Sequence, residues 1–274
     1  MSTIAKAMHL LNTLADMRME PGLTDIAIAS GMDKATTRRM LVELSRFGFV
    51  EQDATTRRYR LGSAPVRLSR IREQRYPFAS VVAPFARALV EATGETVHVS
   101  EPAGEKLATV HVEMSDYTHR VMIDAGQLLP FHATASGLAF LSTLAPDELE
   151  TMLSAPLAAF TQTTLVSVDM LRERLNEGRK RGYCTSEGDY EQGVMSAAAA
   201  IVDGRGMARG TIAVAGPAMR VDRAKLEEFG AHAAETARQI ERALWGTQKT
   251  GQDRHGRTEW TTTERSKIRT TSRS

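Results

Sequence analysis

LTDIAIASGMDKATTRRMLVELSRFGFVEQDATTRRYRLG, residues 23–62, is the stretch whose reading decides the fold. Thr24 is placed to cap a short helix with Leu23, Ile26, Ala27 and Ser30 on one side. Gly31 ends that helix at a tight turn, where a positive φ costs glycine little. Asp33 then caps a longer helix reaching about Phe47. Its inward face is Thr37, Met40, Leu41 and Leu44, and its outward face carries Lys34, Thr36, Arg38 and Arg39. Phe49–Glu51 and Tyr59–Leu61 flank a polar tip and predict a β-ribbon, with Arg57, Arg58 and Arg60 on or beside its return strand. Upstream, Ile4, Ala7, Met8, Leu11 and Leu14 recur at helical spacing over residues 4–17, and Glu20-Pro21-Gly22 breaks that helix. Helix, turn, polar-fronted helix and basic ribbon, in that order, read as a winged helix-turn-helix.

The chemistry of this head suits double-stranded DNA. A helix N-terminus offers N–H groups and a positive dipole end to phosphate. Lys34 and Arg38 are long enough to reach base edges, and arginine pairs in bidentate fashion with guanine. Thr36 and Arg39 are placed for phosphate contacts that fix register. The full set expected at DNA is Thr24, Lys34, Thr36, Thr37, Arg38, Arg39, Arg57, Arg58 and Arg60. Charge agrees: residues 1–75 hold 13 Lys/Arg against 8 Asp/Glu, whereas residues 76–246 hold 15 against 22, beneath a net charge of only +2.

Beyond the head, residues 66–75 read as a helix bearing Arg67, Arg70, Arg72 and Arg75, punctuated by Pro77. Helical patterns follow over 78–93, 134–144, 146–153, 168–181 and 221–245. Strand patterns fall at 96–101, 107–112, 120–123, 194–202 and 211–215, the last two turned at Asp203-Gly204-Arg205-Gly206. Strands clustered among helices predict an α+β class with a largely antiparallel sheet. The expected domains are a winged helix-turn-helix at 1–62, a linker helix at 63–77 and a larger body at 78–246. Residues 247–274, rich in Thr, Ser, Arg and Gly, are expected to form a disordered tail.

The 23–62 stretch resembles the DNA-binding domain of the IclR family of bacterial transcriptional regulators. Gly31, Lys34, Thr36, Arg39, Leu41, Leu44, Gly48 and the closing Tyr59-Arg60-Leu61-Gly62 stand where that family's pattern expects them. Asp33 departs from it, since the family often has proline there; either residue can start a helix. GETVHVSEP, DAGQLLPFHATASGLAFLS, RGYCTSEGDYEQGV and GTIAVAGPAMRV resemble, in order, the signature stretches of the family's GAF-like effector-binding domain. The resemblance implies a regulator of a catabolic operon that senses a small organic acid, binds an operator as a homodimer or a dimer of dimers, and uses the 66–75 segment to pair subunits. It places Ala135, Ser136, Gly137, Asp189, Ser196, Ala213 and Ala215 nearest the effector. Relatives that carry serines in the last strand contrast with Ala213 and Ala215, which implies a ligand less polar than a two-carbon keto acid.

The residues themselves support part of this. Ala133 to Gly137 begins a helix whose unpaired N–H groups suit a carboxylate. Ser186 to Asp189 supplies polar side chains from a loop, and Val194–Ala200 with Ala213–Ala215 supplies strands with small side chains that leave volume open. Two other functions stay open: an enzyme of small-molecule metabolism with an incidental basic domain, and an architectural DNA-binding protein with no ligand. The first lacks a coherent catalytic set. His132 and Ser136 come without a GxSxG elbow, and the spacing of His98, His111 and His119 fits no zinc pattern. Cys184 stands alone, without a CxxC partner, and reads as a small packing residue. No cofactor is expected. The opening MSTIAKAMHLLNTLADM lacks a signal-peptide core and no apolar run approaches the roughly 18 residues of a bilayer span, so a cytoplasmic protein is expected.

Overall fold

The computed structural model describes residues 1–246. The expectation for 247–274 lies outside them.

The head folds as the periodicity predicts. α1 (Thr3–Asp16), α2 (Leu23–Ser30) and α3 (Lys34–Arg46) enclose a small core of Leu10, Leu11, Leu14, Ile26, Met40 and Leu41. The antiparallel ribbon β1 (Val50–Gln52) and β2 (Tyr59–Leu61) closes it with Val50 and Tyr59. Gly31 sits at φ 65°, in the left-handed region that ends α2. The Asp33 carboxylate accepts from Thr36 N–H at 2.8 Å and caps α3 as expected. This bond also holds the Asp33 carboxyl below its usual pKa. Thr24 does not cap α2. The N-cap is Gly22, whose own N–H donates to Asp25 at 2.9 Å, so the capping side chain comes from inside the first turn.

α4 (Ala64–Arg75) follows, and none of its residues is buried. It meets the body through Arg72, which donates to the buried Glu101 carboxylate at 2.6 Å, and through the stack of Tyr76 on Phe78.

The body is built on one antiparallel sheet. Its strands are β3 (Thr96–Ala103), β4 (Lys106–Glu113), β5 (Leu128–Pro130), β6 (Cys184–Glu187), β7 (Val194–Val202) and β8 (Ala208–Pro217), in the spatial order β5-β4-β3-β8-β7-β6. Alternation along each strand divides the side chains between two faces. Val97, Val99, Ala197, Ala199, Ile201, Ile212 and Val214 pack under α5 (Phe78–Thr93) and α9 (Arg223–Trp245) in one core. On the other face, Ala198 and Ala213 pack with Leu138, Leu141, Leu171 and Leu175 of α6 (Ala135–Leu141) and α8 (Val168–Arg181) in a second core. A short α7 (Pro146–Met152) sits between α6 and α8 in the chain. The sheet with helices on both faces is the expected α+β arrangement.

Two local expectations are corrected. Residues 120–123 form no strand; they belong to an irregular segment, 114–127, and the edge strand β5 comes after it. Its conformation comes from side-chain anchors instead. Thr96 Oγ1 donates to Val121 O at 2.9 Å. Arg220, bonded by 2.6 and 2.9 Å contacts to the fully buried Glu95, also donates to His119 O and lies 4.4 Å over the Tyr117 ring. The start of the expected 186–189 loop is the end of a strand, β6, too short and polar to show alternation.

Candidate functional site

Two sites emerge, one on the head and one in the body. On α3 the outward face is Lys34, Ala35, Arg38, Arg39 and Val42, all exposed. Lys34 and Arg38 are one helical turn apart, and Arg39 is beside them. Among the described residues, Lys34, Arg38 and Arg39 form no ion pair, so their charge is available to a polyanion. Thr36 is half-buried beside the cap, and Thr24 is exposed on the first turn of α2. Thr37 is corrected: it is fully buried, with its hydroxyl donating to Asp33 O at 2.9 Å, and presents no surface to DNA.

The ribbon's three arginines differ. Arg57 stands exposed at the tip with φ 60°, an uncommon conformation for a side-chain-bearing residue, and makes no ion pair among the described residues. The tip is held by Asp53, which accepts from the Thr55 and Thr56 N–H groups and from the Thr56 hydroxyl. Arg58 donates to Glu20 O at 2.6 Å. Arg60 pairs with Glu51 at 3.2 Å and Glu20 at 3.7 Å. Both are exposed, but their guanidinium groups also brace the ribbon against the end of the α1–α2 connection.

In the body, a cavity of about 60 Å³ opens on the α6 side of the sheet. Its floor is sheet: His98 of β3, Ala215 of β8, Ser196 of β7 and Ser186 of β6. Register explains the grouping, because Ser186 lies opposite Ser196 and Ser196 opposite Ala215. One wall is the start of α6 with Ala133, Thr134, Ala135 and Ser136; others are Val121, Met122 and Ile123 of the 114–127 segment, and Tyr190, Glu191 and Val194. Thr134 fixes the α6 wall: its hydroxyl donates to Pro130 O at 2.9 Å and accepts from Gly137 N–H at 3.0 Å. Ser136 Oγ and His98 Nε2 are 3.1 Å apart.

Of the residues expected at the effector, the structure brings Ala135, Ser136, Ser196 and Ala215 together. Three do not line the cavity. The Gly137 N–H is committed to Thr134, and a side chain there would strike the Phe131 backbone, so close packing explains this glycine. Asp189 is buried in an ion pair with Arg174 at 2.8 Å, while Thr161 and Thr164 bond its carbonyl. That set anchors the loop carrying Tyr190. Ala213 is fully buried in the core under α6, one step along β8 from the cavity. Sequence reasoning missed His98 and the Val121–Ile123 wall. Alternation sets His98 on the face opposite Val97 and Val99, with nothing in the sequence to show that this face is covered too, and the wall reads as a strand.

The remaining reactive residues have packing roles. Cys184 is 1% exposed and burial pushes its thiol up to about 11, which keeps it protonated. His111 bonds Glu113 at 3.0 Å, and His132 bonds Ala158 O at 2.8 Å. Among the described residues there is no group of three His, Cys, Asp or Glu placed to hold a metal, and no helix is long and apolar enough to cross a membrane.

Comparison with known proteins covers both sites. Residues 3–54 match the family described as IclR helix-turn-helix domain, and residues 73–242 match Bacterial transcriptional regulator IclR C-terminal. The chain is 29% identical over 247 residues to the transcriptional repressor IclR of Escherichia coli, covering 89% of this chain and 90% of that one. A solved IclR transcriptional regulator from Silicibacter sp. superposes with a TM-score of 0.80 at 35% identity, over 91% of this chain and 98% of that one. An IclR homologue from Microbacterium hydrocarbonoxydans, solved in complex with 4-hydroxybenzoate, shares the fold with a TM-score of 0.73 at 20% identity, over 89% and 99%.

Proposed function

This chain belongs to the IclR family of bacterial transcriptional regulators, and on that premise we propose that it regulates a catabolic operon in response to a small organic acid bound in the body. The family's members are DNA-binding regulators, not enzymes, so the reading of an enzyme with an incidental basic domain falls away. The division into a DNA-binding head at 1–62, a linker at 63–77 and an effector-binding body at 78–246 is part of the proposal, as is its place in the cytoplasm, where operators are found.

The observation that carries the effector reading is the cavity itself. Ser136, Ser186 and Ser196 bring hydroxyl side chains to its lining, and Ala215, Val121 and Leu129 bring apolar ones. Such a site suits a ligand with one polar end and an apolar body. In the proposed pose the carboxylate meets Ser136 and Ser196 beside the start of α6, and the body lies over Ala215. The Microbacterium homologue's 4-hydroxybenzoate makes aromatic acids the first members of a ligand panel. On the head, Arg38 reads a base while Lys34, Arg39 and Arg57 hold phosphates. Thr24, Thr36, Arg58 and Arg60 are secondary contacts.

Binding of the acid changes DNA affinity only if it prefers one arrangement of the heads; a typical coupling is about 1–3 kcal/mol. The test is a gel shift on the intergenic DNA upstream of the gene, with and without organic acids, for wild type and Ala215→Leu. The acid should shift the wild-type midpoint about 5–150-fold. Ala215→Leu should bind DNA normally and lose the response. A folded Ala215→Leu that responds with unchanged ligand affinity places the effector elsewhere.

A further inference from the structure

The cavity is short of positive charge. Among the described residues no lysine or arginine lines it, and the one carboxylate that does, Glu191, is exposed. An organic anion entering it meets hydroxyls, the Tyr190 phenol and a single imidazole. Burying a carboxylate without a counter-charge is costly, even where hydroxyls bond it.

That imidazole is His98, only 5% exposed. Nε2 bonds Ser136 Oγ, while Nδ1 is buried and has no partner among the described residues. Burial lowers its pKa to about 4, so the ring is neutral near pH 7. Among the described residues no neighbouring element offsets this. On β4, His111 and Glu113 stand opposite Val99 and Val97 and turn toward α5. On β8 the partner is Ala213, and α6 carries no ionisable side chain. Ser196 and Ser186 face it from β7 and β6, while Glu187 turns to Arg223. Glu95 is matched by Arg220 and Asp189 by Arg174. Asp116, His119, Arg120 and Asp124 of the 114–127 segment are exposed and do not line the cavity; Tyr190 does.

We propose that His98 supplies the counter-charge of the effector site, so that a carboxylate binds there together with one proton taken up by the imidazole. This rests on the reading of the cavity as an acid-binding site. The proton comes from the buffer and adds to the ring nitrogen that is bare in the neutral tautomer; no bond of the ligand changes. An opposite charge within about 4–6 Å favours the charged ring. The complex then holds one more proton than its separate parts between the two pKa values of His98, so affinity rises as pH falls, by at most about tenfold per unit. A neutral isostere of the acid gains nothing from the ring, which makes His98 a specificity determinant for anions.

Calorimetry on the full chain tests this, with benzoate as probe and benzamide as its neutral isostere. Titrations in buffers of different ionisation enthalpy give the protons taken up, and a series from about pH 5.5 to 8, across the range in which histidine responds, gives the affinity slope. Benzoate should bind with close to one proton and a falling affinity toward high pH. Benzamide should take up none. Benzoate should also take up none on His98→Gln, which keeps a hydrogen-bonding group toward Ser136 but does not titrate. If that variant fails to fold, the benzoate–benzamide contrast on wild type decides. Benzoate binding with no proton uptake and a flat pH profile overturns the role of His98 alone. If no carboxylate from acetate to benzoate binds, or if benzoate binds Ala215→Leu unchanged, the acid-binding reading itself is overturned.

Discussion

A buried neutral histidine should make this protein lose stability in mild acid, by an amount the structure sets. His98 titrates near its ordinary value of 6.5 in the unfolded chain and at about 4 in the folded one. Its folded pKa is lowered, so the unfolded state binds the proton more tightly. The contribution is fully present above about pH 6.5 and is lost as pH falls toward 4. The whole gap corresponds to about 3 kcal/mol, and the fall from pH 7 to pH 5 to about 2 kcal/mol. Urea unfolding followed by circular dichroism at several pH values, for wild type and His98→Gln, isolates the term. Carboxylates held low in the folded state, such as Asp33 and Asp203, lose stability too, but equally in both proteins. The glutamine variant should start less stable at pH 7 and close the gap by about 2 kcal/mol at pH 5. Parallel profiles for the two proteins would refute the reasoning.

On DNA, Arg38→Ala should cost roughly 1–3 kcal/mol at the cognate operator and relax base choice at one position, whereas Arg57→Ala should weaken all DNA alike and reduce the salt slope by about 1. Equal effects of the two changes across a randomised operator library would remove the distinction. Arg220→Met should destabilise the body by about 3 kcal/mol, because it leaves the buried Glu95 carboxylate unpaired; adding Glu95→Gln should restore much of that, and an unchanged unfolding midpoint in the single variant would contradict it. A single helix-turn-helix usually needs a second copy for stable binding, and α4 exposes Val66 and Leu68 with no residue buried, so a dimer or a dimer of dimers is expected in solution; light scattering that gives a monomer, free and on DNA, would count against it.

The sequence was most legible where one period ruled. Residues 168–181 and 194–202 match their elements to the residue, and the α3 face divides as its spacing predicts, apart from Thr37 in the DNA-contact set. Legibility failed where tertiary contacts set the backbone. The 120–123 stretch has strand-like composition, but Thr96 and Arg220 hold it away from any ladder. Gly22 caps α2 only because Asp25 reaches back to it. In the cavity, the run of small side chains along β7 and β8 pointed to open volume. What it could not give was depth. Ala213 and Ala215 share a face, yet one is sealed beneath α6 and the other lines open volume. Asp189 illustrates a different limit: a buried acid in a loop reads as a ligand contact until its arginine is seen.

The small side chains of the cavity floor have a consequence for how such a sensor diversifies. The space is made by what β7 and β8 leave out, not by a detour of the backbone, so the strands, their register and the second core would survive a change of taste. A serine at 215 would add a donor, and a valine there would shorten the chamber, each by a single codon and without moving a hydrogen bond of the sheet. The neighbouring Ala213 enjoys no such latitude, since any atom added there must displace α6, at a typical cost of about 1–3 kcal/mol. Inheritance can thus retune what the protein recognises at one alanine, while the other stays fixed by the scaffold that carries the message.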